Sequence, residues 1–382
     1  MNLMGMKSEN VAQFNNRLVL NLLLQAPLSC VELAEKSNLT HMTTGRILRR
    51  LYEMEVVKPY VEPQKKRNRG GQFFRYEINA ERAYFICINF HHLYKSFSIY
   101  DLTGKTVYIE ESEGEKVSNS VVDDIFGRIN FVLDEKKIPF DRIAVVSIAI
   151  PGRINEETGE IIVSSKIDKS VNLTKRFKTA FPSSTIEIKN NIEYACINSI
   201  LSDEFDYSKG THLYLYVGSG VFCCLVYDKK IILGSNGFGG EIGMNCIDSN
   251  ENRLSPVIET YEMQSFCRSI TGNMDFELSS IKKASEEYPP IKNRLLEIAD
   301  TLGRTIRNYI DFLGASHIIF AGPITQYPEF FFDEFLAKIK KTNYSDGIDY
   351  KIDYSFSEET GKGQILLSRL NALDWVMNWD WE

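Results

Sequence analysis

The chain has 382 residues, a length that usually divides into two or three domains. Its composition, 43% hydrophobic and 25% charged, is typical of a globular protein, and no segment reaches the roughly 18 uninterrupted apolar residues of a membrane span. These values exclude a membrane-inserted or wholly disordered chain. The first residues do not resemble a signal peptide, so we expect a cytoplasmic protein.

Charge is unevenly distributed along the chain. Residues 1–78, the basic head, carry twelve Lys and Arg against seven Asp and Glu, a balance of +5. Because the whole chain has a net charge of −7, the remaining acidic body carries −12. This asymmetry predicts that only the head meets a polyanion.

Seven cysteines form an odd set without a C-x-x-C pair. The pattern favours neither a disulfide framework nor a thiolate zinc site, and we expect the cysteines to be small buried apolar residues. The sequence predicts no metal and no cofactor.

The first elements of the head are two short helices. Apolar residues recur at helical spacing from residue 15 to 25, and Pro27 ends that helix. Ser29 stands three residues before Glu32, which is the capping-box arrangement, and predicts a second helix over residues 30–37.

A third helix follows a tight turn at residues 38–39 and is capped by Thr40. We expect its inward side to carry Met42, Ile47, Leu48 and Leu51. Its outward side would carry His41, Thr43, Arg46, Arg49 and Arg50. Two short helices joined by a tight turn are typical of a helix-turn-helix, although a plain helical hairpin with a solvated basic face gives the same pattern.

Two strands joined by a basic tip come next. Strand-like residues at 56–61 and 73–78 flank a glycine-containing tip with Lys65, Lys66, Arg67 and Arg69. This reads as the wing of a winged helix, whose cations reach phosphate or the minor groove. The predicted partner is a double-stranded DNA operator, and the predicted DNA-binding residues are Thr40, His41, Thr43, Arg46, Arg49, Arg50, Lys65, Lys66, Arg67 and Arg69.

The acidic body alternates buried strands with helices, which predicts an α/β fold. A buried strand at 143–150 ends at Pro151-Gly152, and later strands at 212–217 and 221–227 enclose Gly218-Ser219-Gly220. Further along are Gly240-Glu241-Ile242-Gly243, an amphipathic helix over 295–313, a strand over 317–320 and Ala321-Gly322-Pro323-Ile324.

With these motifs in this order, the chain resembles the ROK family over about residues 14–370. That family contains sugar kinases and, with an added DNA-binding head, sugar-responsive repressors. The resemblance implies a winged helix-turn-helix followed by a two-lobed actin- or hexokinase-like α/β body. We expect a head over 1–78, a small lobe over 79–190 completed by the C-terminal helix 364–382, and a large lobe over 191–363.

The chain departs from the ROK kinases at their reactive positions. Residues 89–93, Asn-Phe-His-His-Leu, replace a glycine-rich phosphate loop, and Asn191 replaces the aspartate that serves as base. Met244 replaces a zinc-binding histidine of the family, and residues 250–258 contain no cysteine. The kinase reaction and the family zinc site are therefore not expected here.

The resemblance assigns a ligand site between the lobes to Gly152, Asn190, Asn191, Glu241 and Glu259. Carboxylates and amides suit a neutral sugar better than an anion. The alternative is that Glu241 and Glu259 have only a structural role, as cap or turn residues.

The sequence thus predicts a regulator, usually a repressor, with a sugar effector and no membrane partner, acting as a homodimer or a dimer of dimers. Two alternatives stay open: a sugar kinase with an appended head, and a regulator that has lost its ligand and answers to a protein partner. The three tryptophans, Trp375, Trp379 and Trp381, are expected to pack within the chain, with a dimer contact as the alternative.

Overall fold

A computed structural model describes residues 8–60, 74–91, 94–155, 158–164, 166–234, 239–340, 350–355 and 360–377. The chain divides into two compact units. The first unit is Met1–Lys189 with Ile365–Glu382, and the second unit is Asn190–Gln364. Within the described ranges, no helix has the length and apolarity that crossing a membrane requires.

The head consists of three helices and a small antiparallel sheet of order β1-β3-β2. Its elements are α1 (Ser8–Gln25), β1 (Leu28–Ser29), α2 (Cys30–Ser37), α3 (His41–Glu53), β2 (Val57–Tyr60) and β3 (Arg75–Ile78). The predicted capping box is confirmed, because the Ser29 hydroxyl accepts from Glu32 N while the Glu32 carboxylate accepts from Ser29 N at 2.7 Å. Helix α1 begins earlier than predicted, and its residues 11–14 are all exposed and give no burial pattern.

The rest of the first unit is built on a five-stranded sheet of order β10-β7-β4-β5-β6. Strands β4 and β7 are parallel, whereas β4, β5 and β6 form an antiparallel meander. Its elements are β4 (Tyr84–Phe90), β5 (Tyr94–Asp101), β6 (Thr106–Glu113), α4 (Asn119–Lys136), β7 (Ile143–Ile150), β8 (Arg153–Ile154), β9 (Ile161–Val163), α5 (Leu173–Ala180) and β10 (Thr185–Asn190).

The second unit is built on a sheet of order β13-β12-β11-β14-β15, in which β11, β14 and β15 are parallel. Its elements are α6 (Asn191–Leu201), β11 (Thr211–Val217), β12 (Val221–Tyr227), β13 (Lys230–Ile232), α7 (Ser255–Ile258), α8 (Thr260–Thr271), α9 (Ile281–Glu287), α10 (Pro289–Leu313), β14 (His317–Ala321), α11 (Glu329–Ile339) and β15 (Lys351–Ser355). A last helix, α12 (Thr360–Met377), ends the described chain.

Strand β4 is buried along its whole length because both faces of its sheet are covered. Side chains alternate between the faces, so Ile86 and Ile88 join a core with α4 and α5. On the other face, Phe85 and Cys87 join the core of the head and the end of α12. This shared core contains Val19, Leu20, Leu33, Leu48, Val57, Ala372, Leu373 and Val376 among its members.

Polar contacts reinforce the packing of the head on this sheet. Arg82 Nε donates to Met54 O at 2.9 Å, and Arg17 of α1 forms an ion pair with Asp374 of α12, with Nε 2.8 Å from Oδ1. The head is therefore part of the first unit and not a module hung on a linker.

Helix α12 brings one of the three tryptophans against the first unit. Trp375 Nε1 donates to Ser183 O at 2.9 Å, and its ring packs on the shared core. The expectation of packing within the chain is thus confirmed for Trp375, while Trp379 and Trp381 lie outside the described residues.

In the second unit, alternate residues of β11 also belong to two cores. Leu213, Leu215 and Val217 pack with α10, whereas Tyr214 faces the core formed with α6.

The prediction that the cysteines are buried is wrong for Cys246, which is exposed, and Cys30 is half-buried. The other five are buried, and burial raises the pKa of the Cys87 thiol to about 12.

A hydrogen-bonded chain joins the buried His212 of β11 and His317 of β14 to the half-buried Asp353 of β15. His212 Nδ1 is 2.9 Å from His317 Nδ1, and His317 Nε2 is 2.9 Å from Asp353 Oδ2. Because an ionised carboxylate only accepts, neutral His317 donates from Nε2 and accepts at Nδ1 from the Nδ1–H of His212. Burial lowers the pKa of both imidazoles.

Candidate functional site

Helix α3 has the two-sided form of a helix that lies in a DNA groove. Thr44, Ile47, Leu48 and Leu51 are buried, whereas His41, Arg46, Arg49 and Arg50 are exposed. The helix follows α2 after a turn in which Asn38 adopts the left-handed conformation, with φ of 57°. Three arginines and a histidine therefore stand free of the core on the second helix of a helix-turn-helix.

The start of α3 is fixed by threonine hydroxyls. Thr40 Oγ1 accepts from Thr43 N at 3.2 Å and lies 2.9 Å from Thr43 Oγ1. Thr40 is thus the predicted N-cap, and the two hydroxyls named as DNA-binding candidates also hold the helix start.

One residue of α3 differs from its predicted position. Met42 was expected to face inward, but it is exposed, and Thr44 takes the buried place. The sequence carried the signal: Thr44, and not Met42, lies three and four residues before Ile47 and Leu48, which is the spacing of one helical face.

The wing is described in its strands. Strands β2 and β3 pair antiparallel, with Val57 opposite Ile78 and Tyr60 opposite Arg75. The tip residues Lys65, Lys66, Arg67 and Arg69 lie outside the described residues. Arg75 of β3 is paired with Glu32 of α2, Nη2 to Oε1 at 2.6 Å, so this cation ties the sheet to the helices.

Two of the ligand candidates begin helix α6. The Asn190 side chain accepts from Ile192 N at 2.8 Å and is the N-cap, while Asn191 is buried at the first position of the helix. The amide of Asn190 therefore has a structural role in addition to any contact with a ligand.

The two acidic candidates flank the β11–β12 turn. Glu241 follows Gly240, whose carbonyl accepts from Cys223 N of β12 at 2.9 Å, and Thr260 N, next to Glu259, donates to Gly218 O at 2.9 Å. The Glu259 carboxylate accepts from the Ser255 hydroxyl. The structure thus brings the segments of both carboxylates to one end of the hairpin within the second unit.

Gly152 belongs to the first unit and has a packing reason of its own. Its φ is +154°, and a Cβ there would lie 2.3 Å from Val163 O and 2.8 Å from Ser164 Cβ. Only glycine fits here, because the chain that follows β7 approaches β9 closely. Its presence does not by itself require a ligand.

The segment that the sequence resemblance predicts to replace the kinase phosphate loop lies between β4 and β5. His91 N donates to Tyr94 O at 2.8 Å, and the two rings stack with centroids 4.6 Å apart. A phosphate loop depends on backbone N–H groups that point at the ligand. Here the N–H of His91 is already bonded within the chain.

The sequence resemblance predicts that Met244 and residues 250–258 replace the zinc-binding segments of the family. Met244 is exposed, and Arg253 Nη1 donates to Met244 O at 2.7 Å and lies 3.3 Å from Cys246 Sγ. Across the described ranges, no group of three or more His, Cys, Asp or Glu residues is placed to hold a metal ion.

Comparison with known proteins gives one family and two kinds of relative. The sequence profile of the ROK family matches residues 86–352. The xylose repressor of Staphylococcus xylosus is 21% identical over 282 residues, 72% of each chain. The DNA-binding transcriptional dual regulator NagC of Escherichia coli K12 is 22% identical over 348 residues, 83% of this chain and 82% of that protein.

Solved structures extend the likeness to the head. A ROK family transcriptional regulator, described as a homologue of the E. coli MLC protein, has a TM-score of 0.73 at 18% identity and covers 96% of this chain and 98% of its own. A ROK hexokinase from Thermus thermophilus has a TM-score of 0.57 at 14% identity and covers 75% of this chain and 97% of its own. The fold is therefore a ROK α/β body, and the regulator match includes the N-terminal head.

Proposed function

The chain belongs to the ROK family, and on that premise we propose that it is a DNA-binding transcriptional regulator, a repressor, that responds to a sugar or a sugar derivative. The observation that carries the proposal is α3, which presents Arg46, Arg49 and Arg50 opposite a fully buried stripe. The names of the relatives, a xylose repressor and the DNA-binding transcriptional dual regulator NagC, support the same class.

Roles within the head follow from position on α3. Residues near the N-terminus of a recognition helix reach base edges, so His41 and Arg46 read sequence. Arg49 and Arg50, further along, contact phosphate, together with the tip cations Lys65, Lys66, Arg67 and Arg69. A homodimer or a dimer of dimers places two such heads on two half-sites.

The effector site is proposed at Asn190, Asn191, Glu241 and Glu259, all in the second unit; Gly152 remains a candidate from the sequence alone. Two carboxylates and two amides supply acceptors and donors for sugar hydroxyl groups. The hairpin end that gathers Glu241 and Glu259 supports this assignment. A free sugar is favoured over a sugar phosphate, because the cations nearest in sequence are only Lys189 and Arg153.

Two observations favour a regulator over a kinase. By the resemblance to ROK kinases, Asn191 takes the position of the aspartate that accepts the proton from the sugar, and an amide does not serve as that base. The N–H of His91 is bonded to Tyr94 O in the segment that would receive phosphate. We therefore propose that the chain is not an enzyme.

The test is binding of the full-length protein to duplex DNA at several salt concentrations. Neutralising roughly six to ten phosphates predicts a loss of about 10³ to 10⁵ in affinity between about 50 and 200 mM salt. Arg49→Ala with Arg50→Ala should weaken binding to every sequence and flatten the salt dependence.

A matched control removes two positive charges from the acidic body. Lys283 and Arg304 are exposed and belong to ion pairs within single helices, so Lys283→Ala with Arg304→Ala makes the same change in net charge without touching the head. If both double variants lose affinity equally, binding is a property of net charge and the assignment to α3 is refuted.

The effector is sought by the thermal shift of the protein against a panel of sugars and sugar phosphates. A sugar that stabilises the protein and releases it from DNA should act less well on the Glu241→Gln protein. The substitution should cost about 1 to 3 kcal/mol of the binding free energy of the sugar. DNA binding without effector should remain intact. If the Glu241→Ala and Glu259→Ala proteins respond fully to the sugar, the effector site must lie elsewhere in the chain.

A further inference from the structure

Met42 is an apolar side chain in an unexpected place. It is the second residue of α3 and is 85% exposed, although the same helix buries four neighbours in the core of the head. At this exposure, most of its side chain is in contact with water. Single exposed apolar side chains are common on protein surfaces, and Met42 is distinguished by its place at the start of a helix proposed to enter DNA, where a contact in the complex would cover it.

The face on which Met42 lies is the one that would meet the groove. Residues four and seven positions later on a helix share its face, and these are Arg46 and Arg49, both exposed. At about 100° per residue, this stripe lies opposite the buried stripe formed by Thr44, Ile47, Leu48 and Leu51. Met42 is thus at the centre of the outward face, on the side of the helix N-terminus.

The chemistry of this position points to one feature of a base pair. In the major groove only thymine offers a methyl group, and apolar side chains read it by contact. Methionine is long, unbranched and flexible, so it reaches and adapts to such a group. The neighbouring hydroxyls of Thr40 and Thr43 already form the helix cap, so Met42 extends the reach of this first turn.

We propose that Met42 is a specificity-determining residue that reads the 5-methyl group of a thymine in each half-site. The inference rests on the proposed function, because it needs α3 to lie in the major groove. It adds an apolar contact to the polar readout by His41 and Arg46.

The experiment begins with selection of duplexes from a random pool by the unmodified full-length protein. In the selected site, each thymine is then replaced singly by uracil, which lacks only the methyl group. At one thymine position in each half-site, replacement by uracil should lower the affinity of the protein for the duplex about fourfold. This is the value expected for burial of one methyl group. With Met42→Ala the same replacement should have no effect, whereas Met42→Leu should retain it.

Met274→Gln is the control variant, because Met274 is 76% exposed in the second unit and should leave the uracil scan unchanged. If the protein selects a site but no uracil replacement distinguishes Met42→Ala from the unmodified chain, the assignment of Met42 is overturned while DNA binding stands. If no sequence is selected and the Arg49, Arg50 double variant binds as the unmodified protein does, both the inference and the proposed function fail.

Discussion

Replacement of Gly363 tests how α12 is seated against α6. Gly363 is buried, and a Cβ added there would lie 1.8 Å from Tyr194 O and 2.8 Å from Asn198 N, both on α6. Helix α6 also begins with Asn190 and Asn191, so this close approach supports the helix that carries two ligand candidates. Gly361, two residues earlier in the same helix, has nothing within 4 Å of its added Cβ.

The two glycines therefore predict changes of opposite sign. Helix propensity alone favours alanine over glycine by up to about 1 kcal/mol at each position. At Gly363 the contacts are with backbone atoms, which cannot move aside as a side-chain end does, and overpacking of this kind costs about 1 to 3 kcal/mol net. For a unit of this size, that cost lowers the melting temperature by roughly 2 to 12 °C.

Differential scanning calorimetry of the full chain measures both variants against the unmodified protein. Gly363→Ala should melt earlier, and Gly361→Ala should melt at the same temperature or up to about 4 °C higher. Equal melting temperatures for the two alanine variants, or a more stable Gly363→Ala protein, would refute the seating of α12 on α6.

Three further predictions follow from the site and the cores. Asn191→Asp should not produce sugar-dependent ADP release, because the His91 N–H stays bonded to Tyr94 O; sugar-dependent ADP release by the unmodified protein would instead support the kinase. A chelator should leave the melting temperature unchanged, and a chelator-sensitive melt would reveal a structural metal. Burial lowers the pKa of His212 and His317 in the folded chain. As the pH falls, these imidazoles therefore bind protons first in the unfolded chain, near the ordinary histidine pKa of about 6.5. Stability of the second unit should therefore fall as the pH drops below that value, and His212→Gln should flatten a plot of melting temperature against pH.

Local chemistry made the head predictable from the sequence. The capping box at Ser29 and Glu32, the Thr40 cap and the buried residues of α3 after Met42 each depend on neighbours within one or two helical turns. The turn between β12 and β13 is of the same kind, since Asp228 and Lys229 both adopt positive φ, at 48° and 57°. The early start of α1 was missed because its residues 11–14 are all exposed and show no burial periodicity to detect.

Contacts between distant residues were beyond a single sequence. His212 and His317 are 105 positions apart and meet only because β11 and β14 pair in parallel with these residues in register. Arg17 and Asp374 are 357 positions apart. Strands β11 and β14 and helices α1 and α12 could each be expected from the sequence. Strand register and helix docking are set by the whole core, which periodicity along one segment does not encode.

The shared core of the head and the β4 sheet limits how any signal can reach DNA. Phe85 and Cys87 of β4 pack in the same cluster as Leu20 and Leu48 of the head, and Arg82 bonds to Met54 O across the boundary. Separating the head would expose these apolar surfaces and leave a buried guanidinium with fewer partners, both of which are costly. In the proposed dimer, α3 is therefore carried by the first unit as a whole. An effector that alters the separation of two such helices must displace whole first units, because a head that swivels on its own would first have to break this core.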